Sequence, residues 1–333
     1  MCPHQKYDTM INIKYPFKYR LVEINQTMRL NMKKLIGVSI VTLLCVSGCK
    51  ARVGITGEGE RVIDESNVYD ASVGQEFALE DGMKAKLDGT SGLLRYTRIW
   101  LIGNVNNIKH IYFTNHGDGA SDYSDSTSND REAMASNFPE GEGAIVAYPV
   151  STGDDWPGFR SLKDQRTNYY MLLKMFLQLE RATGRQDAND ITFEQFSLSG
   201  GGRVNHALMR LILEKYDSDP AVQDFVDRHV RGIHDGDSLC YNIDGDEGMT
   251  QSYINVLKNF RQIKGSFIHN TSGQMAYVHR HHRKVASAFK ELSEDEYPYG
   301  GSTSIENGRL RFWSAKTHWE AWKGQFAKVF FID

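Results

Sequence analysis

Short apolar runs alternate with amphipathic stretches through most of this chain. RIWLIG (98–103), HIYFTNHGDG (110–119), GAIVAYPVS (143–151), ITFEQFSLSGGG (191–202), VRGIHDGDS (230–238), GSFIHNTSG (265–273) and RLRFWSAKTHWEAW (309–322) each open on a run of strand length, rich in branched and aromatic residues. Between them, apolar positions recur at helical spacing near 129–137 and over 162–183, 204–216, 250–260 and 277–292. Strands that alternate with helices of this length predict one α/β domain over 76–333, a mainly parallel sheet covered by helices on both faces.

In an open parallel sheet, ligands bind beyond the carboxyl ends of the strands, so the residues that follow each apolar run are the candidates. Ser199 follows one run and precedes Gly200, Gly201 and Gly202. A small-x-Ser-x-small turn between strand and helix lifts a serine hydroxyl to the sheet edge and aims the next backbone N–H, that of Gly200, at the point where an oxyanion forms. Ser197 takes the leading small position in place of the usual glycine. After 110–115 comes His116-Gly117-Asp118-Gly119, the form of a loop whose backbone supplies the second oxyanion donor, from Gly117 or Asp118.

A serine hydroxyl needs a base, and the base needs a third group to fix its tautomer. His318 follows the last apolar run; Asp235 and Asp237 follow an intervening one. Asp235 is preferred as the acid because it is the first residue beyond VRGIH, and Asp237 is the alternative. The order Ser, Asp, His is that of the α/β-hydrolase class. From about Lys109 to Trp322 the chain resembles the α/β-hydrolase superfamily, in particular its lipase- and esterase-like bacterial members. That resemblance implies cleavage of an ester or related acyl bond through an acyl-enzyme, with Ser199 as nucleophile and His318 as base. The chain departs from the pattern at Ile268-His269-Asn270-Thr271-Ser272, where most of the superfamily carries the acid and this chain carries no carboxylate.

The N-terminus adds a location. MKKLIGVSIVTLLCVSGCK (32–50) has two lysines, an apolar run shorter than the ~20 residues that cross a bilayer, and a small-residue end. It resembles a bacterial lipoprotein signal, which implies lipidation at Cys49, a mature chain from Cys49 and a place in the cell envelope, with an outer-membrane lean because Lys50 follows. Residues 1–49 are thus read as an upstream extension plus signal peptide, and 50–75, rich in Gly, charge and small residues, as a tether. Of four cysteines only Cys49 and Cys240 survive such processing, which leaves no expected structural disulfide.

A formal net charge of −3 and a pI near 6.4 argue against a nucleic-acid partner. No cofactor and no metal are expected. His279-Arg280-His281-His282-Arg283-Lys284 is read as a solvated basic face, since three neighbouring cations discourage a dication, and its histidines are not expected to serve as the base. Residues 242–248 have the wrong glycine spacing for a calcium loop and read as a surface turn. His234 is expected to bond locally inside its strand. Trp313, Trp319 and Trp322 are expected in the core or at the rim. The resulting expectation is an envelope-anchored, cofactor-free serine hydrolase; the rival is a non-catalytic lipoprotein that uses the same fold as a binding module.

Overall fold

A computed structural model describes residues 53–55, 61–63, 68–72, 76–78, 84–86, 94–117, 138–151, 156–183, 189–238, 246–271, 278–289, 301–318, 320–321 and 329–330. All belong to one compact unit, Gly48–Asp333. The signal-like segment, Cys2, Cys45, Cys49, Cys240, Asp118, the helix expected near 129–137, Trp319, Trp322 and most of the calcium-like loop lie outside the described residues.

The strands are β1 (Val53–Ile55), β2 (Arg61–Ile63), β3 (Val68–Ser72), β4 (Glu76–Ala78), β5 (Lys84–Lys86), β6 (Leu94–Gly103), β7 (Ile108–Asn115), β8 (Gly143–Ser151), β9 (Thr192–Leu198), β10 (Val230–Gly236), β11 (Gly265–Asn270), β12 (Ser302–Ile305) and β13 (Leu310–Ala315). Nine form one sheet in the order β12-β13-β11-β10-β9-β7-β8-β6-β3, while β1-β2 and β4-β5 are separate antiparallel pairs. The central strands β13, β11, β10, β9, β7 and β8 run parallel; β6 runs against β8 and β3, and β12 against β13. This is the mainly parallel sheet expected from the alternation of strands and helices.

The helices are α1 (Leu162–Asn168), α2 (Tyr170–Ala182), α3 (Gly202–Lys215), α4 (Pro220–Arg228), α5 (Asp246–Asn259) and α6 (Val278–Ser287). Their apolar faces join Ile111, Phe113, Ile145, Phe193, Ile233, Phe267 and Phe312 in one core. Alternate strand residues, Tyr112, Val146, Tyr148, Phe196 and Ile268, form the opposite core with Phe138, Ala321 and Val329. Both faces are buried, which is why the central strands read as continuous apolar runs instead of alternating ones.

Several elements differ from the sequence expectation. β3, inside the span read as a tether, pairs with β6 at the sheet edge, Val68 opposite Trp100 and Ser72 opposite Tyr96. A five-residue strand amid Gly and charge carries little periodic signal, and its partner across the sheet supplies the order. The single helix expected over 162–183 is two, divided at Tyr169. α4 was not anticipated, although Pro220 at its first position and the Asp219 carboxylate, which accepts from the Ala221 N–H at 3.0 Å, are ordinary start signals. The hairpin strand β12 was also missed.

One buried histidine gives the fold a pH dependence. His206 on α3 is enclosed, and burial, aided by the Arg210 charge, pushes its pKa down to about 4. The unfolded chain therefore binds a proton that the folded one refuses, so stability is full above about 6.5 and is lost as pH falls towards 4. Between pH 7 and pH 5 the imidazole accounts for about 2 kcal/mol of lost stability. Urea melts of wild type and His206→Leu at both pH values should show a smaller acid loss in the variant.

Candidate active site

Strand register brings the candidate residues to one edge. Asn115 pairs with Ser197 across β7 and β9, Leu198 with Gly236 across β9 and β10, Gly236 with Ile268 across β10 and β11, and Asn270 with Ala315 across β11 and β13. Gly117, Ser199, Asp237 and His318 thus leave four parallel strands from the same end of the sheet.

Ser199 is the first residue beyond β9 and opens a single 3-10 turn, Ser199–Gly201, that runs into α3. Its φ of 49° lies in the left-handed region, which costs a non-glycine residue about 1–3 kcal/mol and persists only where the surroundings enforce it. The enforcement is visible. A Cβ on Gly201 would lie 2.5 Å from the His116 carbonyl oxygen and 2.8 Å from that of Asn115, so only glycine lets the turn press against the β7 loop. On the other side, a Cβ on Gly117 would fall 3.0 Å from Ser199 Cβ, which sets the Gly117 backbone beside the hydroxyl.

The loop after β7 is held by Trp156. Its indole N–H donates to the His116 carbonyl at 2.8 Å, and its ring lies 4.5 Å from the His116 ring. His116 Nδ1 in turn bonds the Gly117 carbonyl at 2.7 Å. His116 is therefore buried in the loop scaffold and is not presented as a base.

Beneath the turn, one asparagine uses its whole hydrogen-bonding capacity. Asn205 Oδ1 accepts from Ser197 Oγ at 2.7 Å and Gln195 Nε2 at 2.8 Å, and its Nδ2 donates to the His234 carbonyl at 2.6 Å and to Tyr253 Oη at 2.7 Å. Asn115 Nδ2 donates to Ser197 Oγ at 2.9 Å. Ser197, a departure from the glycine-first pattern, is thus the link that ties β7 and β9 to α3. Asn115 Oδ1 and Gln195 Oε1 are buried with no partner among the described residues, so it is Asn205, with all four of its bonds made, that fixes this arrangement.

The partner of His318 is Asp237, not the preferred Asp235. His318 Nδ1 lies 2.7 Å from Asp237 Oδ2, with the carboxylate fully buried and the imidazole 29% exposed. β10 extends through Gly236, two residues past the VRGIH boundary, so Asp235 lies within the strand and Asp237 is the first residue beyond it. Asp235 is engaged elsewhere, with His282 Nε2 at 2.9 Å and with Ser238. Asp237 has φ 56°, a conformation that aspartate tolerates better than most residues, and its own N–H donates to the Ile268 carbonyl at 2.7 Å. Asn270 gives its carboxylate a side-chain N–H and, at 3.3 Å, a backbone N–H. A buried carboxylate keeps its charge only with such donors.

His318 is placed by a local signal in the residues that flank it. Thr317 and Glu320 close a turn around His318: Thr317 Oγ1 accepts from the Glu320 N–H at 3.1 Å, and the Glu320 carboxylate accepts from the Lys316 N–H at 2.8 Å. Ala321 buries itself at the end of the turn, and its N–H donates to the Thr317 carbonyl at 3.1 Å. With Nδ1 turned to Asp237, Nε2 is the ring nitrogen on the far side of the imidazole from the carboxylate.

His234 is buried on the other face of the sheet with Nε2 2.8 Å from Glu194 Oε2, and burial holds its pKa below the ordinary value. The 279–284 segment corrects the expectation of a solvated face. Arg280 and Lys284 are exposed, whereas His281 and His282 are buried, His281 with Nδ1 3.1 Å from Thr250 Oγ1. Helical spacing puts 278, 281, 282, 285 and 286 on one stripe, which α6 turns inward. Asp246 to Gly248, read as part of a surface turn, begin α5. Trp313 is half-buried and packs against the second core. Among the described residues no three His, Cys, Asp or Glu side chains are grouped so as to hold a metal.

No protein-family model and no curated protein sequence matches this chain. Solved structures similar to it include a dienelactone hydrolase from Anabaena variabilis, 15% identical, with 66% of this chain and 81% of that one covered and a TM-score of 0.33. Poly(aspartic acid) hydrolase-1 from Sphingomonas sp. KT-1 is 13% identical, with 79% and 100% covered and a TM-score of 0.42. An esterase from Pyrococcus furiosus is 10% identical, with 79% and 91% covered and a TM-score of 0.40.

Proposed function

We propose that the protein is a serine hydrolase that cleaves an ester or related acyl bond through an acyl-enzyme. Ser199 attacks the carbonyl, His318 takes its proton through Nε2 and returns it to the leaving group, and Asp237 holds the imidazole tautomer. The N–H of Gly200 and an N–H of the Gly117–Asp118 loop receive the oxyanion. The observation that carries this reading is the conjunction of a serine forced to φ 49° between strand and helix with an aspartate–histidine pair at 2.7 Å on the same sheet edge. A scaffold protein has no need to hold a serine in a strained turn. Incubation with a fluorophosphonate probe should give one covalent adduct, on Ser199, in folded wild type and none in Ser199→Ala; absence of the wild-type adduct sinks the proposal.

The proposal includes anchorage to the bacterial envelope through lipid on Cys49, supported by Val46-Ser47-Gly48-Cys49 after a short apolar run. Wild type should pellet with membranes and start at a lipid-modified Cys49 by mass spectrometry, and Cys49→Ser should accumulate as unmodified protein. A mature N-terminus elsewhere refutes it.

A further inference from the structure

The strand end that carries Asp237 holds a second carboxylate–imidazole pair that the chemistry above does not use. Asp235 and His282 are both fully buried, Nε2 2.9 Å from Oδ1. Among the described residues, the further donors to Asp235 come from just past Asp237: the Ser238 N–H reaches Oδ1 at 3.1 Å and the Ser238 hydroxyl reaches Oδ2. These bonds close the chain over 235–238 and leave Asp237 inside the closure at φ 56°.

His282 is set for this contact by its helix. Val278, Val285 and Ala286 bury the same face of α6, and the rings of Phe267 and His269 stand edge-on to the imidazole at 5.4 Å and 5.8 Å. Its Nδ1 is buried with no hydrogen-bond partner among the described residues. The ring meets the carboxylate through Nε2, beside the two donors that Ser238 supplies. The same carboxylate reaches a second part of the site: its charge, after burial, raises the pKa of the Tyr253 phenol, which is bonded to Asn205 beneath the Ser199 turn.

We propose that Asp235 and His282 are positioning residues for the reaction: through the Ser238 closure they fix the backbone that presents Asp237, and through Asp237 they orient His318. Towards β11, Asp237 is fixed by Ile268 and Asn270; towards the chain that follows it, the closure on Asp235 is the anchor. Loss of the His282 donor leaves a buried carboxylate short of one partner and free to pull the closure out of register. A shift of about 1 Å at a group that aims a catalytic base costs on the order of 10²-fold in rate.

The inference rests on the reading of Ser199, His318 and Asp237 as a triad, and the test separates the two. Wild type, His282→Phe, His282→Gln and Ser238→Ala are compared for p-nitrophenyl acetate hydrolysis, for the rate of fluorophosphonate labelling of Ser199, and for cooperative melting. His282→Phe keeps ring volume without the donor and should lower kcat and the labelling rate about 10²-fold with KM changed no more than about twofold. His282→Gln retains an N–H donor at similar reach and should recover to within about fivefold of wild type. Packing alone would leave the two variants equally impaired, and a folded His282→Phe within about threefold of wild type shows that the pair does not steer the site; either result overturns the proposal while the triad stands. If His282→Phe does not fold, Ser238→Ala decides: about tenfold lower kcat supports the closure, and wild-type kcat overturns it. A wild type that neither hydrolyses the ester nor labels at Ser199 removes the triad and this inference together.

Discussion

Alanine at Ser199 is expected to lower kcat by about 10⁵-fold or more, and alanine at His318 by a similar factor, with the double variant no worse than either alone. The reason is that nucleophile and base act as one unit: a hydroxyl without a base, or a base without a hydroxyl, both leave only the oxyanion donors and the binding surface to work. Neither substitution touches the Asn205 network or the two cores, so both variants should still melt cooperatively, His318→Ala at a lower midpoint because the buried Asp237 carboxylate loses a partner, which separates chemistry from folding. Steady-state kinetics with circular-dichroism melts check both halves of this statement. Strictly additive losses would mean that the two residues do not serve one reaction.

Asp237→Asn is expected to lower kcat by about 10⁴-fold, because an amide beside His318 Nδ1 stabilises the tautomer that cannot accept a proton from serine. The substitution also sets a new N–H against the side-chain N–H that Asn270 now donates to the carboxylate. Asp235→Asn should cost no more than about 10²-fold, since Asp235 acts on Asp237 and not on the imidazole. The ratio between the two, read from kcat at one pH, is the measurement. Loss at Asp235 equal to or greater than that at Asp237 would return the acid to the position first preferred from the sequence.

The sheet and the edge of the candidate site were legible in the sequence because they depend on local chemistry. Apolar runs of strand length bounded by Gly, Asn and Asp produce β7 to β11 and β13 almost regardless of what they pack against. Ser199 is marked by three glycines that allow a tight turn, and His318 by its place after the last run. β3 and β12 were not legible, for short strands draw their order from the partner across the sheet.

The choice between Asp235 and Asp237 belongs to the tertiary structure. Two residues of strand length decide it, and those are set by pairing of Gly236 with Leu198 and Ile268 on two neighbouring strands far away in sequence. The same holds for Asn270 and His282: in the chain one is a polar residue at a strand end and the other part of a basic run, and only packing of β11 and α6 against β10 turns them into donors to the two carboxylates. What the sequence determined by itself was on which ends of which elements the candidate residues stand, because periodicity and turn composition are local. Which carboxylate meets which imidazole was decided by strand register and helix packing, because a hydrogen bond of 2.7 Å between residues 81 apart is set by every element between them.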